Sequence, residues 1–199
     1  MDPIPLILAI IGVVLLVLIL WAIVTYNGFV KLRNKVEEAW RQIDVELHRR
    51  HDLIPNLVET VKGYAAHEKG VFDDVTRARA EAVKSGSSPA QQAEQENVLS
   101  SALARLFAVA EAYPELRANQ NFQQLQAELT NTEDRIAAGR RYYNANVREM
   151  NTKRETFPPS IIASMFNFGR AEYFETEDPA VRASPYVNFS ADRDRFDAE

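Results

Sequence analysis

Residues 4–64 decide the fold, and they read IPLILAIIGVVLLVLILWAIVTYNGFVKLRNKVEEAWRQIDVELHRRHDLIPNLVETVKGY. The first 21 of these residues, 4–24, carry no charged side chain. Because an α-helix rises 1.5 Å per residue, they span roughly 31 Å, which matches the hydrocarbon core of a bilayer. The apolar residues that follow recur at intervals of three and four, as on one face of an amphipathic helix. The stretch therefore predicts a helix that leaves a membrane and continues into a bundle.

The apolar run is interpreted as a retained transmembrane anchor comprising residues 1–25. A cleaved secretory signal has a basic start, a shorter apolar stretch and a cleavage site of small residues. Here Met1 and Asp2 precede the run, while Trp21 and Tyr26 lie at its far end. Aromatic side chains at such an end anchor a helix in the membrane interface. The sequence therefore favours a single span that stays in the lipid bilayer.

The charges beside the run predict its orientation. Basic side chains follow the run closely: Lys31, Arg33, Lys35 and Arg41. No basic side chain precedes it, and basic flanks remain on the cytoplasmic side of a membrane. We therefore expect the N-terminus outside and the bulk of the chain in the cytoplasm. We also expect Trp21, Tyr26, Lys31, Arg33 and Lys35 to form the membrane anchor, with the basic side chains near anionic lipid.

The region 26–156 is predicted to be an antiparallel bundle of about four helices, so that the chain is all-α. Each predicted helix has one apolar face and cannot be stable alone, and packing these faces together buries them. Pro55 predicts a kink or a restart near His51 and Asp52, with Asp52 as the cap of the second half. Ser88 and Gln91 have the spacing of a capping box, which predicts a new helix there.

The end of the chain changes character after the bundle. Phe157, Pro158 and Pro159 must end the last long helix. Residues 157–174 are apolar and aromatic and too short to cross a bilayer, so we expect them to dock. Three places are open for this docking: the chain's own bundle, a neighbouring protomer or the membrane interface. Prolines and alternating charges in residues 175–199 predict a mobile tail.

Two long blocks resemble the signature blocks of the LemA family. They are YNGFVKLRNKVEEAWRQIDVELHRRHDLIPNLVETVKGYAAHE at 26–68 and YPELRANQNFQQLQAELTNTEDRIAAGRRYYNANVREMN at 113–151. FPPSIIASMFNF at 157–168 and SPYVNF at 184–189 are similar to the family's ending. The resemblance implies a bacterial inner-membrane protein with one N-terminal span, a helical bundle and no established molecular activity. It also implies relatives that are associated with building magnetosome membranes, which suggests a membrane scaffold.

The residues offer little support for catalysis. His48 and His51 lie one helical turn apart, a spacing at which two imidazoles can bind one metal ion. A metal-dependent enzyme that uses His48, His51 and His67 is therefore an alternative function, but a less favoured one. The sequence contains no HExxH, ExxH, GxSxG or SxxK motif, no phosphate-binding glycine loop and no cysteine. A solvated helix face explains the two neighbouring histidines better. We therefore predict no enzyme activity, no cofactor and no metal site.

Polar residues within the two long blocks need another explanation. Those on the first long helix are Arg50, Asp52, Asn56, Glu59 and His67. Those on the last are Glu128, Glu133, Arg135, Arg140 and Asn144. They can fix the register of the bundle, since an unpaired buried charge costs several kcal/mol. Alternatively, they line a groove that binds a protein partner or a lipid headgroup.

These observations predict a membrane-anchored scaffold or assembly protein that associates with itself. The alternative is a membrane-tethered signalling adaptor whose bundle binds a protein partner of unknown identity. The net charge of −5 gives no bulk attraction for nucleic acid, so no nucleic-acid partner is expected.

Overall fold

A computed structural model describes residues 3–84 and 88–175 of the protein, and these residues form helices and connecting turns without any strand. The helices are α1 (Ile4–Lys62), α2 (Lys69–Ala82), α3 (Pro89–Glu111), α4 (Pro114–Arg117), α5 (Gln120–Glu155) and α6 (Pro159–Met165). The predicted all-α bundle with a long apolar N-terminal helix is thus confirmed. The expected mobile tail, apart from Glu175, lies outside the described residues.

The apolar run forms the first part of α1. It has the length and composition required to cross a membrane, and none of its most apolar window is buried by the rest of the protein. Apart from the half-buried Trp21, its large side chains are about half exposed or more from Ile4 to Val24. Exposing an apolar surface of this size to water costs free energy, so in a stable protein it is covered by lipid or by another protein surface.

The second part of α1 packs against α5 along one buried stripe. Members of the stripe recur every three, four or seven residues: Phe29, Leu32, Ala39, Ile43, Leu47, Ile54, Leu57 and Val61. The two helices are antiparallel, since Ile43 lies beside Gly139 whereas Arg50 lies beside Glu133. Helices α2 and α3 form an antiparallel hairpin that covers the far end of this pair.

Helix α1 does not restart at Pro55, so the predicted restart at His51 and Asp52 is wrong. Pro55 lacks an amide hydrogen, and the carbonyl of His51 therefore has no partner within the helix. The Nε of Arg79 in α2 donates a hydrogen bond to this carbonyl oxygen at 2.7 Å. Asp52 lies inside the helix with an exposed side chain and is not a cap. A residue from another helix thus compensates for the proline.

The other predicted helix boundaries agree with the structure. Ser88 Oγ accepts a hydrogen bond from the Gln91 amide at 3.5 Å, and Gln91 Oε1 accepts one from the Ser88 amide at 3.2 Å. This reciprocal pair is the capping box, and it begins α3. Helix α5 ends at Glu155, just before the Phe157-Pro158-Pro159 sequence.

Candidate functional site

A cluster of six polar side chains, of which Arg50, His51, Gln92 and Glu96 are buried, joins three helices of the bundle. We call it the Arg50 network and define it as Arg50 and His51 of α1, Gln92, Glu96 and Ser100 of α3, and Glu133 of α5. Only 2% of the Arg50 surface is exposed. Its Nη1 is 3.0 Å from Glu96 Oε2, and its Nη2 is 2.9 Å from Glu133 Oε1. The same Nη2 donates to Ser100 Oγ at 2.7 Å. One cation therefore links α1 to both α3 and α5.

Glu96 is the centre of this network. Its Oε1 accepts hydrogen bonds from His51 Nε2 at 2.8 Å and from Gln92 Nε2 at 2.9 Å. An ionised carboxylate only accepts hydrogen bonds, so this contact favours the His51 tautomer that carries its proton on Nε2. Gln92 also donates to the Ala82 carbonyl at 2.9 Å, which ties the end of α2 to α3. The carboxylate of Glu96 thus receives three donors, with Arg50 as the third.

The network is suited to holding helices in register. Removing one member of a buried ion pair leaves an uncompensated charge, so each member depends on the others. The pairing is still incomplete, since Arg50 Nε and Glu46 Oε2 are buried without a hydrogen-bond partner within the described residues. Each member is hydrogen-bonded or ion-paired to another member, so these side chains hold one another in place.

The ten polar residues predicted from the sequence fall into three groups. Glu128 pairs with Arg49 on α1, and Arg135 Nη1 lies 3.4 Å from Glu46 Oε1, so both join α5 to α1 as Arg50 and Glu133 do. Asn144 contacts the C-terminal segment instead. The remaining five side chains are exposed: Asp52, Asn56, Glu59, His67 and Arg140. Glu59 Oε1 pairs with Lys62 Nζ at 2.8 Å on the helix surface. The ten residues therefore do not line one common groove.

The structure does not bring the three histidines together. The ring centroids of His48 and His51 are 6.3 Å apart, but His51 Nε2 is bound to Glu96. The Nδ1 of His48 is 2.8 Å from the Asp44 carbonyl oxygen. His67 lies in the turn after α1 with an exposed side chain. Among residues 3–84 and 88–175, no group of three or more His, Cys, Asp or Glu side chains is placed to hold a metal ion.

A second polar site holds the C-terminal segment against α5. We call it the asparagine clamp and define it as Asn144 and Asn151. Asn151 Oδ1 accepts from the Ala171 amide at 2.9 Å, and its Nδ2 donates to the Ala171 carbonyl at 2.9 Å. Asn144 makes the same pair of bonds with the amide and carbonyl of Phe174, at 3.0 and 3.3 Å. Each asparagine thus grips the main chain of one residue.

The spacing of the clamp explains why it fits an extended segment. Seven residues of α-helix separate Asn144 from Asn151 and rise about 10.5 Å. The three-residue step from Ala171 to Phe174 covers about 10 Å when the chain is extended. Side chains two turns apart on α5 therefore meet backbone groups three residues apart on the segment. Because the clamp binds only backbone atoms, it does not select the segment by its side chains.

Aromatic residues complete the second site. The ring of Phe174 lies 5.4 Å from Trp40, which in turn lies 5.5 Å from Tyr143. Tyr143 Oη donates to the Glu172 carbonyl at 2.8 Å. Burial, and to a smaller degree the negative charge of Glu172, raise the pKa of Tyr143 to about 12. The phenol therefore stays protonated and keeps donating well above neutral pH.

The predicted membrane-anchor residues lie at one end of the bundle. Trp21 is half-buried and packs against a cluster that includes residues of α6. The ring of Tyr26 lies 4.8 Å from that of Phe166. The basic side chains of Lys31, Arg33 and Lys35 are exposed on α1 beyond this point.

Sequence reasoning missed several members of these sites. Gln92 and Glu96 continue the apolar stripe of α3, in which Leu99, Leu103 and Leu106 follow at spacings of three and four. A charged residue in a core position of a helix is the signal that could have identified Glu96. Asn151 lies two turns beyond Asn144 on α5, but nothing in the sequence indicated that a backbone would dock there.

The fold and these sites define an all-α bundle protein whose first helix begins with an apolar segment of membrane-spanning length. The sequence profile of the LemA family matches residues 39–189, which is most of the chain. The chain therefore belongs to the LemA family. This membership and the apolar helix together indicate a membrane-associated protein.

Named relatives extend the similarity to nearly the whole chain. The chain is 28% identical to the magnetosome protein MamQ of Magnetospirillum gryphiswaldense, over 90% of this chain and 75% of that protein. It is 29% identical to magnetosome protein MamQ 2 of Paramagnetospirillum magneticum, over 78% of this chain and 66% of that protein. It is 22% identical to protein LemA of Metamycoplasma hominis, over 76% and 69% of the respective lengths.

Proposed function

We propose that this protein is a membrane-anchored scaffold that associates with itself through its helical bundle. The observation that carries the proposal is the continuity of α1, which runs from the apolar segment into the bundle core without a break. The bundle is therefore attached to the anchor by a helix rather than by a flexible linker. A protein that only needed tethering would not require this continuity.

The chemistry of the two polar sites supports a structural role. The Arg50 network uses its charges to join α1, α3 and α5, and the asparagine clamp uses its amides to hold the chain's own backbone. The relatives named as magnetosome proteins are in keeping with a role at a membrane, and we propose a non-enzymatic one here.

We further propose that the bundle lies in the cytoplasm and the N-terminus outside, across the inner membrane of a bacterium. The basic side chains after the apolar run, Lys31, Arg33 and Lys35, support this orientation because they are exposed and unopposed by any basic residue before the run. Placing Cys at Asp2 or at Val98 tests it in intact spheroplasts with a membrane-impermeant maleimide. Labelling of Asp2→Cys alone is expected, whereas labelling of Val98→Cys alone overturns the orientation.

Self-association can be tested cleanly because the native chain has no cysteine. Single cysteines at exposed positions on α1, α3 and α5, namely Val45→Cys, Val98→Cys and Tyr142→Cys, report contacts between copies in native membranes. A bismaleimide crosslinker is expected to give a homodimer band with at least one variant. Co-expression of two differently tagged copies identifies that band as a homo-link.

The mass of the purified protein in mild detergent provides an independent measurement. A particle heavier than the 22.6 kDa chain, after subtraction of detergent, is expected. A strict monomer at every protein concentration, together with crosslinks only to other proteins, would overturn the scaffold proposal and favour the adaptor.

A further inference from the structure

Helix α6 packs beside the point at which α1 leaves its apolar run. Ile162, Ala163 and Phe168 enclose the fully buried Phe29 of α1. Trp21 and Ala22 pack against the same cluster, although both belong to the apolar run of residues 4–24. The inner face of α6 therefore lies level with the last turn of that run.

The aromatic contacts of Tyr26 place the residues after α6 at the same level. The Tyr26 ring is 4.8 Å from Phe166 and 5.6 Å from Phe168. Tyr26 follows the end of the apolar run by two residues, or about 3 Å along the helix axis. The headgroup region extends about 5–7 Å beyond each side of the hydrocarbon core. When the run spans a bilayer, Phe166 therefore lies within the headgroup region.

The outer face of this segment is apolar and exposed. The exposed fractions are 78% for Phe157, 49% for Ile161, 68% for Met165 and 51% for Phe166. Because Ile162 and Ala163 point toward α1, Ile161 and Met165, which are one turn apart, point away from it. Four large apolar side chains within ten residues are therefore exposed, and binding or membrane contact normally covers apolar surface that is concentrated in this way.

Basic side chains lie on α1 and α5 close to residues that pack with α6. Lys31 and Arg33 are exposed on α1, and the Arg33 guanidinium lies 5.9 Å from the centroid of the Phe168 ring. Lys153 Nζ at the end of α5 lies 4.9 Å from the centroid of the Phe29 ring. Cations at the edge of an apolar surface favour contact with anionic headgroups.

We propose that α6 and its flanking residues form a second membrane contact, in which Phe157, Ile161, Met165 and Phe166 insert into the lipid interface beside the exit of α1. The occupant of the patch is the lipid surface, because the patch is continuous with the end of the membrane-spanning run. This inference rests on the proposed membrane anchoring of α1. In this arrangement the C-terminal part of the bundle fixes the orientation of the bundle relative to the membrane surface.

The test uses the full chain reconstituted in vesicles of phosphatidylethanolamine and phosphatidylglycerol that carry a nitroxide either near the top of the acyl chain, for positions 161 and 165, or near its end, for position 16. An environment-sensitive dye is attached to Ile161→Cys or Met165→Cys. The matched controls are Val45→Cys and Val98→Cys, which are similarly exposed valines on the bundle. Leu16→Cys reports insertion of α1 itself. The dyes at 161 and 165 are expected to shift their emission to the blue and to be quenched, unlike those at 45 and 98.

A second variant separates insertion from mere proximity. With the dye on Ser164→Cys, which is exposed, the additional changes Ile161→Asp and Met165→Asp are expected to abolish quenching. Circular dichroism of that variant checks that the bundle is retained. Quenching at Leu16 without quenching at 161 and 165 overturns this inference and leaves the anchoring intact. Absence of quenching at Leu16 overturns the anchoring and the inference together.

Discussion

The Arg50 network and the asparagine clamp both satisfy buried polar groups, but they do so with different chemistry. The network pairs full charges from three helices, whereas the clamp pairs neutral amides with main-chain groups of one segment. Losing a partner in the network leaves a buried ion, which costs several kcal/mol. Losing a clamp residue forfeits hydrogen bonds worth about 1 kcal/mol each. The first site therefore fixes the bundle, while the second holds a segment that can be released locally.

The largest expected effect comes from removing the centre of the network. Glu96→Leu leaves Arg50 and His51 without their shared carboxylate and should lower the free energy of unfolding by about 3–5 kcal/mol. Denaturant unfolding followed by circular dichroism in detergent measures this. Glu94→Leu on the exposed face of α3 is the control and should change stability by less than about 0.5 kcal/mol. Equal losses in the free energy of unfolding for the two variants would show that the Arg50 network does not stabilise the bundle more than an exposed residue does.

The clamp region should respond to alkaline pH through Tyr143. Its pKa is about 12 in the folded protein, against roughly 10 in the unfolded chain. The folded state favours the protonated phenol. The contribution of the protonated Tyr143 to the free energy of unfolding is therefore complete below about pH 10 and is lost between about pH 10 and 12. The loss is at most about 3 kcal/mol. We expect the stability of the native protein relative to Tyr143→Phe to fall over this range. A pH-independent difference would contradict the assignment.

The contact between α1 and α5 can be tested at Gly139. A Cβ atom there would lie 3.0 Å from Ile43 Cγ1, which is itself buried. Gly139→Ala should therefore destabilise the bundle by about 1–2 kcal/mol, despite the better helix propensity of alanine. Gly70→Ala is the control, because nothing lies within 4 Å of its added Cβ, and it should be neutral or slightly stabilising. Thermal unfolding of both variants compares them.

The smallest and most local effect is expected from Asn151→Ala. The Ala171 amide loses its acceptor, and its hydrogen exchange should accelerate by about tenfold, which corresponds to about 1.4 kcal/mol. Asn146→Ala on the same helix is the control, because Asn146 Nδ2 donates to the Tyr142 carbonyl of its own helix and not to the C-terminal segment of residues 168–175. Exchange measured by mass spectrometry should change in residues 168–175 and not in α1. Uniform acceleration throughout the bundle would show that the clamp is not a separable unit.

The long helices could be predicted because their signals are local. Spacings of three and four identified the apolar faces, Ser88 with Gln91 marked the start of α3, and Phe157-Pro158-Pro159 marked the end of α5. Each of these signals acts within one turn or along one face. The helix type and the approximate boundaries therefore follow from the sequence.

The rest depends on contacts between distant residues. The prediction at Pro55 considered only its own helix, whereas Arg79 supplies the missing hydrogen bond from a position 28 residues beyond His51. Glu133 was among the predicted polar residues, but its partner Arg50 also needs Glu96 from α3. The clamp pairs α5 with residues about 20–30 positions later in the chain, and amide side chains give no sequence signal for such pairing.

Because α1 is uninterrupted, a tilt of its apolar end also moves its far end. Residues 25–62 continue the helix for about 57 Å beyond the apolar run. A change of 10° in the tilt of this helix swings its far end sideways by about 10 Å. Helices of fixed apolar length change tilt when the bilayer becomes thinner or thicker. Where the apolar run of α1 spans a bilayer, a change in membrane thickness that tilts the helix by this amount displaces α2 and α3 by about the diameter of a helix.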